Sequence, residues 1–213
     1  MDFKGFNQND FNVFQLEGLD NRMSAIKDHI QPKFEALATT IEPTLTSLSG
    51  DEMYTHIARH ARRTVNPPND TWVAFANNKR GYKMLPHFQV GLFDSHVFVW
   101  FAVIYECPIK ASFAELLLKH PNKWLKEIPK DFVWSTDHMK PDALKHGDLK
   151  KQDLIDMFTK LKEVKKAELL CGIHINRDEQ ILQNGPAFVD KIEQTFKILT
   201  PLYNVAKKSA VTS

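Results

Sequence analysis
A chain of 213 residues with 43% hydrophobic and 25% charged positions carries enough apolar surface for one core and is short for two. Its 28 Lys and Arg stand against 26 Asp and Glu, a net charge of +2, which argues against an extended nucleic-acid footprint and leaves any electrostatic function to local clustering. The start, MDFKGFNQNDF, shows no basic segment ahead of an apolar run, and the longest strictly apolar stretch, Val97 to Tyr105, is nine residues, about half of the ~20 that a membrane-spanning helix needs.

These features predict a cytoplasmic protein with no membrane contact. Cys107 and Cys171 lie far apart in apolar surroundings and read as two reduced, buried thiols. With no repeat, low-complexity tract or Gly/Ser linker, residues 1–213 read as a single α+β domain.

In chain order, Asp20 is placed to cap a helix carrying Met23, Ile26, Ile30, Phe34, Leu37 and Ile41 at spacings of three and four, with Pro32 kinking or dividing it. A second helix is predicted after Gly50, over DEMYTHIARHARRT, ended by the Asn66-Pro67-Pro68-Asn69 turn, so that 20–65 is a helical region. Residues 71–105 read as an antiparallel meander: TWVAFA, LPHFQVGLF and HVFVWFAVIYE are β-branched and aromatic, and turn-like segments separate them.

From 110 to 206 helix and strand mix. The helical segments are SFAELLLKHPNKWLKEI, DLIDMFTKLKEV and AFVDKIEQTFKILTPLY, with strands DFVWSTDH and KAELLCGIHIN between them, and 207–213 is a disordered tail. The predicted architecture is an antiparallel sheet of about five strands packed with several helices.

The segments GDEMYTHIARHARRTVNPPNDTWVAFANNKRGYKMLPHFQVGLF, HVFVWFAVIYECPIK, FVWSTDH and KKAELLCGIHI resemble the YktB-type family of Gram-positive bacteria, a domain of unknown function. The resemblance covers nearly the whole chain and implies a cytosolic single-domain α+β fold with no assigned substrate, cofactor or catalytic residue. It also suggests a topology like the catalytic core of biotin protein ligases. The Gly-Arg-Gly-rich ligand loop of those enzymes is absent here, so no site residue carries over.

The main candidate site is cationic. On a helix, His56, Arg59, His60 and Arg63 would share one narrow face opposite Met53, Ile57 and Ala61. Lys79, Arg80 and Lys83, with Asn77, Asn78 and Tyr82, would add Arg forks, amide donors and an aromatic ring for an anion. The competing reading is a solvated basic helix face balanced by acids such as Glu52.

For metal, Cys171 and His174 would point to opposite faces of a strand and no HExxH or paired CxxC occurs, so no metal site is expected. Asp94-Ser95-His96 reads as turn chemistry, not as a nucleophilic relay. The catalytic candidates are Asp137 and His138, with Asp70 also at a strand edge.

The leading expectation is a binding or regulatory module for a small phosphate- or carboxylate-bearing ligand. An acyl- or phosphoryl-transfer enzyme acting on such a ligand, with Asp137 or His138 as acid or base, and a protein–protein adaptor stand beside it. No cofactor and no oligomeric state follow from the sequence.

Overall fold
A computed structural model describes residues 2–211 as one α+β unit. The N-terminal segment carries a short helix, α1 (Gln8–Asn12). Helix α2 (Leu19–Ala25) and helix α3 (Gln31–Ser49) are joined by a π-helical turn at Ile26–Ile30. Pro32 explains that turn: it has no N–H to donate and its ring crowds the carbonyl four residues back, so the helix widens there and continues unbroken.

Gly18, at φ 82, occupies the cap position, and Asp20 lies inside the first turn instead of capping it. The predicted stripe faces inward, with Ile26, Ile30, Phe34, Leu37 and Ile41 fully buried. Gly50, at φ 69, ends α3 in the left-handed region that favours glycine.

The helix predicted after Gly50 does not form. Tyr54–Ile57 is strand β1, and residues 58–69 are a connection without regular structure. Tyr54, Thr55, His56 and Ile57 pair with Ala76, Phe75, Ala74 and Val73 of strand β2 (Asp70–Ala76). Aromatic and β-branched side chains suit that pairing, and it overrides the helical spacing of Met53, Ile57 and Ala61.

The meander then runs as predicted through β2, β3 (His87–Phe93) and β4 (His96–Val103). Helices α4 (Lys110–Leu118) and α5 (Pro121–Glu127) follow, split at Pro121. Strand β5 (Val133–Ser135) forms a hairpin with the two-residue β6 (Leu144–Lys145). Helix α6 (Lys151–Glu163), strand β7 (Leu169–Asn176) and helix α7 (Gly185–Val211) complete the chain. Of the predicted tail, residues 207–211 are the last turns of α7, and 212–213 lie outside the described residues.

The sheet has seven strands, not five, in the order β1-β2-β3-β4-β7-β5-β6, with every pairing antiparallel. The extra two are β1, hidden in a helix-like pattern, and β6, too short to show a period. One face carries Val73, Phe75, Phe88, Val90, Val99, Phe101, Cys171 and Ile173 and is covered by α3, α4, α6 and α7. The other carries a second apolar layer of Phe93, Phe98, Trp100, Ala102 and Leu170, edged by Trp72.

The second layer depends on two glycines. Gly91 lies beneath the Phe98 ring, and Gly172 faces Trp100 with no room for a Cβ, which would overlap the Val99 carbonyl oxygen and lie 2.6 Å from the Trp100 Cβ. Gly172→Ala should therefore lower the urea unfolding midpoint by the equivalent of about 1–3 kcal/mol, because an overpacked sheet must shift its backbone. An unchanged midpoint would show that the second layer is loosely packed.

Candidate functional site
The second sheet face is where polar groups are buried. Along β3 and β4 a hydrogen-bond relay runs from Trp100 Nε1–H to Gln89 Oε1 (3.1 Å), from the Gln89 amide to His87 Nε2 (2.9 Å), and from His87 Nδ1–H to the Leu85 carbonyl (2.7 Å). With Nδ1–H donating and Nε2 accepting, the His87 ring is neutral, and burial lowers its pKa to about 4. Trp72 Nε1–H donates to the Tyr82 hydroxyl at 2.8 Å, and the Tyr82 ring stands 4.9 Å from His87.

At the β7 end of this network is a carboxylate–imidazole pair. Glu168, the residue before β7, is 5% exposed. Its oxygens lie 2.7 and 2.9 Å from His138 Nδ1 and also accept from the main-chain N–H of His138 (3.0 Å) and of Tyr105 (3.4 Å). Burial works to lower the His138 pKa, but the bond and charge of Glu168, with Asp70 and Asp137 adding to them, outweigh it, and the net shift is upward.

Asp70, at the start of β2, is 2% exposed and has no side-chain partner among the described residues. Burial raises its pKa to about 6, against the opposing pull of His138, Arg63 and its own backbone N–H. A buried carboxyl without a contacting counter-charge is costly, and such groups gather at functional sites.

The predicted cationic residues are distributed differently from a helix face. His56 is on β1, where its Nε2–H donates to the Asn78 carbonyl (2.8 Å) and its ring lies 5.5 Å from Tyr82, so β1 and the 77–83 turn do meet. Lys79 Nζ lies 5.1 Å from the centre of the Tyr54 ring, and Lys83 is 3.9 Å from Glu106. Asn77, Lys79, Arg80 and Arg59 are exposed, and the Arg80 N–H is bound by the Asn78 side chain.

His60, at φ 48, turns its ring edge-on to Trp72 at 5.4 Å. Arg63 spends its guanidinium on the carbonyls of Asn66 and Pro67. The common face of His56, Arg59, His60 and Arg63 is absent because the segment is a strand followed by a loop.

For a metal ion, Asp137, His138 and Glu168 offer ligand atoms within 4.8 Å of one another. A cation held by His138 Nδ1 would have to replace its bond to Glu168. Cys171 and His174 do face opposite sides of β7: Cys171 is in the helix-covered core, whereas His174 stacks on His96 (3.9 Å) over the second face. In the 94–96 turn, Asp94 pairs with Arg177 (2.8 Å) and Ser95 Oγ bonds His96 Nδ1 (2.8 Å), so no relay joins the three. Sequence reading found Asp70, Asp137 and His138 but missed Glu168, whose one signal is a carboxylate placed directly ahead of the apolar run LLCGIHI.

Comparison with known proteins bears on this site only through family. A family model described as a domain of unknown function, DUF1054, matches residues 6–203. The chain is 50% identical over 206 residues to a UPF0637 protein of Bacillus licheniformis, covering 97% of this chain and 98% of that one. It is 51% identical over 208 residues to a UPF0637 protein of Bacillus cytotoxicus, covering 98% and 100%.

Burial also gives the second face a pH signature. It lowers His60, His87 and His96 to about 4 and His174 to about 3. Because the folded state favours the neutral rings, the stability they support is complete above the unfolded value of about 6.5 and is lost as pH falls from there toward about 4. Denaturant midpoints should therefore decline across that window, and His96→Phe should flatten the decline. An equal slope in the variant would remove His96 from this account.

Proposed function
Since the chain belongs to the DUF1054 family, a membership that names no chemistry, we propose its function from the site: acid–base catalysis on a small anionic molecule held at the second face of the sheet. His138 is the proton-transferring group and Asp70 its counterpart. Glu168 accepts from Nδ1–H, which sets the ring orientation and tautomer and leaves Nε2, with no protein partner among the described residues, to exchange a proton with a ligand.

The observation that carries this reading is Asp70. A structural ion pair between Glu168 and His138 has no need of a second buried carboxyl within its field, one that no side chain contacts and that burial shifts toward neutral pH. Supporting an anionic ligand are the exposed Lys79 and Arg80 on the turn that meets β1, with His56 and Lys83 beside them. Acyl or phosphoryl transfer fits that charge and that acid–base pair. A cytoplasmic setting is supported by the two free, buried thiols, Cys107 and Cys171, and no described helix is long and apolar enough to cross a membrane.

Asp70→Asn separates function from structure. A carboxylate whose folded pKa is raised from 3.8 to about 6 is penalised in the folded state above that pH and not below the unfolded value. The variant should therefore unfold at higher denaturant at pH 7.5, by the equivalent of about 2–3 kcal/mol, with the gain vanishing near pH 4. Loss of stability at both pH values would make Asp70 a structural group.

His138→Gln should abolish any turnover of p-nitrophenyl acetate or p-nitrophenyl phosphate while leaving the fold intact. NMR titration of the His138 ring in the unaltered protein should give a midpoint above 6.5 that drops in Glu168→Gln. A ring that does not titrate above 6.5 would sink the acid–base assignment.

A further inference from the structure
A second, separate site is marked by a basic groove of about 520 Å³ between the α4–α5 corner and the start of α6, lined by Lys119, His120, Pro121, Asn122, Lys123 and Lys151. No acidic side chain lines it. The surrounding segment 110–166 holds 13 Lys and 9 Asp and Glu, a net +4 in a chain whose total is +2.

Three features make this arrangement unfavourable without a partner. Three ammonium groups share one concavity, where like charges repel, and of the three only Lys123 has an acid beside it among the described residues, Glu127 at 3.8 Å. Helix α6 is 13 residues long and begins Lys150-Lys151, so cations stand at the positive end of its dipole, and the ammonium of Lys150, in the capping position, cannot accept from the first helical N–H groups. Asp153, in the first turn of α6, reaches back to the Lys150 N–H (2.7 Å) and leaves the next N–H groups unmet by a side chain. The groove is also held in shape: Pro121 presets the α5 start, and Lys123 Nζ lies 4.8 Å from the ring centre of the buried Trp124.

We propose that this groove binds a small molecule through a diphosphate or triphosphate group, with Lys119, Lys123 and Lys151 neutralising it and the α6 start donating N–H bonds. One phosphate, at roughly −1.5 to −2, would leave part of this positive charge and the α6 start unmatched. A volume of about 520 Å³ suits a small ligand, and a net charge of +2 does not suit a nucleic-acid track.

Calorimetric titration of the full chain with pyrophosphate, ADP and inorganic phosphate tests this. Pyrophosphate and ADP should bind more tightly than phosphate, and affinity should fall as salt rises. Lys123→Gln/Lys151→Gln, both exposed positions, should weaken binding about tenfold or more with unchanged circular dichroism. ADP binding no tighter than pyrophosphate would identify the phosphates alone as the recognised group, and tighter ADP binding a nucleoside diphosphate; either supports the proposal. No pyrophosphate binding up to about 10 mM, or binding that the double variant leaves unchanged, would overturn it. His138→Gln should leave this binding intact, so the groove and the acid–base site stand or fall separately.

Discussion

Covering both faces of an open seven-stranded sheet is the constraint from which the rest of the structure follows. Strands β3 and β4 are buried at every position, so side chains on both sides of the sheet had to find cover. Helices α3, α4, α6 and α7 meet this need on one side with continuous apolar stripes. On the other side the cover comes from connections, and connections carry polar backbone and polar side chains. A purely apolar second layer was therefore not available away from Phe93, Phe98, Trp100 and Leu170.

The polar groups on that side are the result. His87, Gln89 and Trp100 satisfy one another in a closed relay, which makes them inert scaffolding. Asp70 and the Glu168–His138 pair differ because one carboxyl has no side-chain partner and one ring nitrogen stays open. Packing that is complete at the relay and incomplete a few residues away separates support from site.

Much of the fold was legible from local pattern. The α2–α3 stripe, the meander and α6 have periods long enough to read, and their buried residues match the spacing. Residues 51–64 misled because Met53, Ile57 and Ala61 keep a helical period while the competing signal, pairing with Val73–Ala76, is non-local and leaves no trace in a short window. The candidate site shared this fate. Its cationic helix face was a product of the wrong period, whereas Asp70 and His138 were visible as polar residues at strand edges. Glu168 was invisible because its meaning comes from Tyr105 and His138, 63 and 30 residues away in the chain.

The central pairing of the sheet joins distant parts of the chain: His96 opposes Asn176 and Val103 opposes Leu169. During synthesis β4 emerges long before β7, and until then its inner edge lacks a neighbour on an already formed meander. Closing so long a loop is slow compared with forming the hairpins that precede it. The nascent chain thus passes through an interval in which an apolar strand edge is open to other chains, the condition under which chaperones engage and aggregation begins. With the arrival of β7 that edge is closed, and what remains at the borders of the finished sheet is the four-residue β1 and the two-residue β6, too short to template another molecule.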